Sequence, residues 1–126
     1  VNRRSASSGS PLEPRIGFSR AVRIGPWVAV AGTAPIGVVT DDLHAQTVRC
    51  FDIAEQALAD VGASLDDVIR TRIMLTDIAR WEDAARAHGE RFHDVRPACT
   101  FVQVSGFIDP AWLVEIEIDA VVGQNW

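Results

Sequence analysis

Three kinds of side chain in this 126-residue chain have the chemistry to act on a small molecule: two cysteines, three histidines, and the acids of a short alternating run, Glu115, Glu117 and Asp119. Cys99 follows Arg96-Pro97-Ala98, a turn leading into a strand, and strand entrances are where side chains meet a cleft. An arginine or histidine beside it would lower its pKa and make it a nucleophile, whereas a packed thiol is inert. Cys50 lies within a helical stretch next to Arg49 and reads as a small buried residue. His88 and His93 are five residues apart, about 140° from one another on a helix turning roughly 100° per residue, so they do not share a metal ion. His88 falls on an apolar helix face, where it is a hydrogen-bonded core or interface residue or else the wall of a pocket. With no CxxC pair and no HExxH, neither a metal nor another cofactor is expected.

Absent residues narrow the chemistry further. All 12 basic residues are arginines, and the chain holds no lysine and no tyrosine. Schiff-base catalysis, a Walker-type phosphate loop and tyrosine acid–base work are therefore excluded. There is no GxSxG elbow and no GxGxxG. A net charge of −5 opposes a role in binding a phosphate backbone, so nucleic acid is not an expected partner. Two cysteines are too few for a disulfide scaffold, which points to a reduced, cytoplasmic setting. The first fourteen residues have no apolar run of the kind a signal peptide needs, and no stretch approaches the roughly 20 apolar residues of a membrane span.

The elements that must position these groups are legible from periodicity. Val48, Phe51, Ala54, Ala57, Leu58 and Val61 recur at helical spacing over residues 43–61, with Gly62 as the cap. A second helix is predicted over 78–92, with Asp77 as N-cap, Trp81, Ala84, Ala85, His88 and Phe92 on one face, and Pro97 beyond its end. Strands are predicted at 21–24 and 27–31 around the Gly25-Pro26 turn, and at 68–75, 100–105 and 114–122. Residues 1–14 read as a loosely held arm, and 15–126 as one domain of ordinary size. The order β-β-α-β-α-β-β is an α+β plan in which two helices cover one face of a single sheet.

Alternation says what the other face carries. Ile116, Ile118 and Ala120 point one way and Glu115, Glu117 and Asp119 the other; Ile69, Ile73 and Leu75 alternate with Arg70, Arg72 and Met74; Val102 and Val104 oppose Phe101, Gln103 and Ser105. A face rich in arginine and carboxylate is an ordinary solvated surface, an oligomer interface, or a cleft lined by Glu117 and its neighbours, and its mixed signs favour mutual pairing.

The stretches GFSRAVRIG (17–25), VAVAGTAP (28–35), GASLDDVIRTRIMLTDI (62–78), RPACTFVQV (96–104) and VEIEIDAVV (114–122) together resemble the reactive intermediate deaminase, or Rid/YjgF, family of small enamine and imine hydrolases. The resemblance implies a fold like chorismate mutase of the Bacillus type: a six-stranded sheet with two helices on one face, assembled as a homotrimer with a small-molecule cleft at each subunit interface. In the deaminating branch, an arginine in a Pro-Ala-Arg-Ser stretch grips the substrate carboxylate through bidentate pairing. Here that stretch is Pro97-Ala98-Cys99-Thr100, so Cys99 stands in the clamp's place.

Other positions depart too. The family's aromatic residue is kept as Phe18 without a phenol hydroxyl, the small polar residue before Gly32 is Ala31, a helical asparagine aligns with Ala85, and His88 takes a nearby aromatic position. The acid that orients the attacking water aligns with Glu117 and is kept. The resemblance thus implies Glu117 as the catalytic residue, with Phe18, Ala31, Gly32, Thr33, His88, Cys99 and Thr100 around the substrate, and backbone groups near Gly32 and Cys99 offering hydrogen bonds. The expected activity is hydrolysis of a small imine, enamine or related metabolite other than the simple 2-imino acids. The alternatives are a non-catalytic binding or sensing trimer, supported by the missing arginine, and the family's older description as endoribonucleases, opposed by the acidic balance.

Overall fold

The structure, a computed structural model, describes residues 2–123; residue 1 and residues 124–126, the outermost ends of the expected arm and domain, lie outside the described residues. Nine elements follow one another as β1 (Arg3–Ala6), α1 (Leu12–Ile16), β2 (Ala21–Ile24), β3 (Trp27–Thr33), α2 (Leu43–Asp60), β4 (Val68–Leu75), α3 (Trp81–Phe92), β5 (Ala98–Gln103) and β6 (Val114–Val121), with short 3-10 turns before β4 and α3. The strands form one six-stranded sheet in the order β1-β2-β3-β6-β4-β5. All neighbours are antiparallel except β4 and β5, which run parallel because α3 carries the chain back across the sheet between them. The α+β sheet with two main helices is the expected architecture.

Residues 3–16 differ from the expected loose arm. Arg3–Ala6 pairs antiparallel with β2, Arg3 opposite Ile24 and Ala6 opposite Ala21, and a short helix follows, closed by Gly17 in the left-handed region. The segment Arg-Arg-Ser-Ala has no apolar alternation to betray a strand, because an edge strand buries little; only Ala6 reaches the core.

The helices form where the periodicity placed them. α2 buries Leu43, Cys50, Phe51, Ala54, Ala57 and Leu58 against the sheet, begins on the Asp42 carboxylate accepting from the Ala45 N–H (3.0 Å), and ends before Gly62, whose φ of +79° only glycine adopts cheaply. α3 packs beside α2 with Ala84, Ala87 and Phe92 inward, while Trp81, expected on that side, is exposed and meets Phe101 edge to face. Phe51 sits at the centre, edge to face with both Phe92 and His88.

Two strands expose a side other than the one expected. Pairing between β4 and β6 slips between Val68 and Arg70, so the strand bulges at Ile69, which is 47 % exposed; the inward set is Val68, Thr71, Ile73 and Leu75. On β5, parallel register places Cys99, Phe101 and Gln103 beside Thr71, Ile73 and Leu75 on the helix side, and leaves Val102 outward. β6 follows its pattern without a break: Val114, Ile116, Ile118 and Ala120 are buried, and Glu115, Glu117 and Asp119 alternate with them.

Candidate functional site

The acid row of β6 lies directly beside the arginine row of β4, since Arg72 is registered with Glu117 and Arg70 with Asp119. The charges pair as their mixed signs predicted. Arg72 Nη1 lies 3.4 Å from Glu117 Oε1 and 3.2 Å from Asp119 Oδ2, and Arg70 Nε lies 3.8 Å from the same Asp119 oxygen. A cavity of about 660 Å³ opens here, its wall including Phe18 and Ala31 together with Arg3, Arg72, Glu117 and Asp119. Three sequence-predicted residues, Phe18, Ala31 and Glu117, thus meet in one concavity. Thr100 extends the same row, registered with Arg72 on β5 and exposed.

Gly32 and Thr33 belong to a different setting, organised by Arg20. The chain drops Arg20 into the interior just before β2, where only 7 % of it remains exposed. Its Nη1 donates to the Gly32 carbonyl (2.6 Å) and to the Thr33 hydroxyl (3.4 Å), which itself donates to the Ala31 carbonyl (2.7 Å). The guanidinium stacks over Phe18, 5.2 Å from the ring centroid, and its Nε stands 3.9 Å from Glu13 Oε2 with no hydrogen-bond partner of its own. Burial pushes the Glu13 carboxyl up, but hydrogen bonds from Ser8 and Ser7 and the charge of Arg20 outweigh it and leave the group below its ordinary value. Glu115 goes the other way. Burial, reinforced by the nearby Glu117 charge, raises it despite Arg20.

His88 and Cys99 are joined on the helix side of the sheet through Thr71. The Thr71 hydroxyl is fully buried and lies 2.8 Å from His88 Nε2, while the His88 ring stacks obliquely on Phe92. Burial lowers the His88 pKa and so favours the neutral imidazole. Cys99 pairs with Thr71 in the β4–β5 register. Although the residue is exposed, partial desolvation of its sulfur raises the thiol, and the Thr71 hydroxyl offsets only part of this. Among the described residues no cation lowers it, and the raised value favours the thiol form.

Within one chain, then, the predicted residues fall into three groups: Phe18, Ala31, Thr100 and Glu117 on the Arg72 side; Gly32 and Thr33 around Arg20; and His88 with Cys99 around Thr71. Sequence reasoning put Arg72 on the polar face and, through the resemblance, among the interface and cleft residues with Glu117; strand register supplies the direct pairing of the two. It named Arg20, with Arg15 and Arg96, only as a candidate to replace the missing clamp, and gave it no buried role. The signal for Arg20 was its place between Phe18 and Val22 in an otherwise apolar alternation. Gln46 was missed as well: buried in α2, its amide donates to the Thr40 and Ala111 carbonyls (2.9 and 3.1 Å) and accepts from the Leu113 N–H (2.8 Å), fixing the connection into β6.

Among the described residues no cluster of three or more histidine, cysteine or acidic side chains could hold a metal ion, and no helix is long and apolar enough to cross a membrane. Comparison with known proteins finds an uncharacterized protein of Streptomyces coelicolor that is 40 % identical over 124 residues, spanning 95 % of this chain and 92 % of that one. The 3-aminoacrylate deaminase RutC of Acinetobacter baylyi is 33 % identical, over 84 % of this chain and 85 % of its own. A crystal structure from Mycobacterium tuberculosis, described as a member of the highly conserved YjgF/YER057c/UK114 family, superposes with a TM-score of 0.91 at 49 % identity, covering 96 % of this chain and all of that one. The family model described as Endoribonuclease L-PSP matches residues 9–122, and the chain belongs to that family, the Rid/YjgF proteins.

Proposed function

We propose that this protein hydrolyses a small imine or enamine in the Glu117 cavity, within a homotrimer whose subunits close that cavity against one another. The observation that carries the reading is the seating of the Glu117 carboxylate beside Arg72 in a concavity walled by Phe18 and Ala31. The balance is simple. Water adds through oxygen to the carbon of the protonated imine, Glu117 orients that water and takes its proton, and the C–N bond then breaks to leave a carbonyl and ammonia. A relative named for deamination of 3-aminoacrylate, an enamine, supports the reaction class.

Charge selects the substrate. Arg72 is held by Glu117 and Asp119, and Glu13, at the cavity's edge, is taken up by Ser8 and Arg20. That leaves Arg3 as the other cation in the wall, and Cys99 offers none where the family's clamp would stand. Such a site suits an imine without a carboxylate, whose positive charge the two acids attract. The test is ammonia release from imines formed in situ, 2-imino acids from an amino-acid oxidase and uncharged-chain imines from an amine oxidase, with semicarbazide capture reporting what remains. The expected result is a kcat/KM for the uncharged-chain imine at least tenfold above that for the 2-imino acid; the reverse order sinks the charge reasoning. The replacement of the clamp by Cys99 favours one second reading, a trimer that binds without turnover, and thermal stabilisation by imine or carbonyl compounds with no ammonia released would establish it instead.

A further inference from the structure

Two arginines meet at the C-terminal end of α2 with no carboxylate to hold them together. Arg4 on β1 is registered directly across from Arg23 on β2, and both reach over Gly62, just past the end of the helix. A Cβ built on Gly62 would stand 2.9 Å from Arg4 Nη1 and 3.0 Å from Arg23 Nη1. The two cations are therefore within about 6 Å of one another, a separation at which like charges repel unless an opposite charge lies beside them.

The helix end supplies part of that opposite charge. Arg23 Nη1 donates to the Val61 and Gly62 carbonyls (2.9 and 3.2 Å) and its Nε to the Gly25 carbonyl (2.8 Å), so Arg23 serves the negative pole of α2. Arg4 is surplus to that task. Its one bond, from Nη2 to the Asp60 carbonyl, is 3.4 Å long. Among the described residues neither arginine forms an ion pair, and the Asp60 carboxylate at the helix end accepts instead from the Gln56 amide (2.9 Å). The chain has 17 acids against 12 arginines, yet its first 25 residues hold five arginines and a single acid, Glu13, which is buried beside Arg20. Nε and Nη1 of the exposed Arg4 and Nη2 of Arg23 thus keep their N–H groups unspent among the described residues.

We propose that the Arg4–Arg23 pair is a binding site for a phosphate group, free or as the monoester of a small metabolite. A phosphate dianion accepts from both guanidiniums through separate oxygens and offsets their mutual repulsion, which is the pairing that guanidinium geometry favours. A carboxylate brings one charge to two cations, and a neutral ligand leaves the repulsion in place. The site lies at the β1 edge, where Arg3, the next residue along the strand, lines the Glu117 cavity instead. Binding at so open a place is electrostatic and weakens as salt rises.

The test needs no turnover. Isotope-labelled full-length protein is titrated with inorganic phosphate and with methyl phosphate at constant ionic strength in chloride, reading the Gly62 amide and the arginine Nε–H resonances. A saturable shift of the Gly62 amide and the Arg23 Nε–H is expected, and whichever of the two compounds binds tighter tells whether the site takes free or esterified phosphate. Arg4→Gln, a change at an exposed residue, is expected to weaken binding at least about fivefold, and Arg4→Lys, which keeps the charge without the fork, to recover part of the loss. Arg86→Gln removes the same charge from an exposed position on α3 and is expected to leave the affinity within about twofold. No saturable shift with either compound, unchanged affinity in Arg4→Gln, or equal weakening in Arg86→Gln would each overturn the proposal.

Discussion

Replacing Arg20 by methionine keeps most of the side chain's length and removes its charge. Arg20 is 7 % exposed and Glu13 4 %, so the loss is felt inside the protein rather than at a screened surface. The charge-assisted bond to the Gly32 carbonyl at 2.6 Å disappears, worth about 1.5–3 kcal/mol. Glu13, 3.9 Å from Arg20 Nε, keeps its Ser8 bonds but loses the cation beside it. Breaking a buried pair from one side costs about 3–5 kcal/mol, a figure that contains the lost hydrogen bond. For a domain of this size that corresponds to a fall in Tm of roughly 10–20 °C. Adding Glu13→Gln removes the stranded charge, so the double variant should be less destabilised than the sum of the singles by at least about 1 kcal/mol. Urea and thermal melts followed by circular dichroism measure all four proteins. A loss below about 1 kcal/mol in Arg20→Met, or strict additivity, would refute the buried-pair reasoning.

Glu115→Gln tests the raised carboxyl. Because the folded protein holds the Glu115 proton above the ordinary value of 4.5, ionisation costs stability as pH rises from 4.5 into the raised range. The variant should be at least as stable as the parent at pH 7 and should lose that advantage below about pH 4.5; a Tm series against pH that shows the variant weaker at pH 7 than at pH 4, relative to the parent, contradicts this. The two thiols should part company under a maleimide reagent. Cys99, exposed but raised, is expected to label in the native protein more slowly than a free thiol, and Cys50, fully buried and strongly raised, only on unfolding. Intact mass showing one adduct natively and two in denaturant checks it, and two native adducts would mean that α2 opens.

How much of this was legible in the sequence depends on whether a residue's role is local. α2, α3 and β6 were readable because their apolar spacing is their packing. The bulge at Ile69 was not, since an extra residue in one strand is defined only against its partner, and Ile is as good an inward residue by type as Val68. On β5 the valines suggested the buried side, but parallel pairing with β4 put Phe101 there instead. β1 hid because an edge strand of arginine and serine satisfies backbone hydrogen bonding without apolar burial. At the site, Glu117 was singled out through resemblance alone, whereas the pairing of signs was legible through alternation. Arg72 beside Glu117, Thr71 beside His88, and Arg20 between Glu13 and Gly32 are contacts across 7 to 45 residues of sequence, between different elements, which spacing along one strand or helix does not encode.

The central claim is that Glu117 activates water in a cavity built for an imine. The most direct measurement is single-turnover hydrolysis of an uncharged-chain imine by the parent, by Glu117→Gln and by Glu115→Gln, with light scattering to verify that assembly is unchanged. Removing a positioned general base should lower the rate of the Glu117 variant about 10²–10⁴-fold, while the Glu115 variant, altered at the neighbouring acid of the same strand, keeps the parent rate within about threefold. Undiminished turnover in Glu117→Gln, or an equal collapse in both variants, would contradict the account.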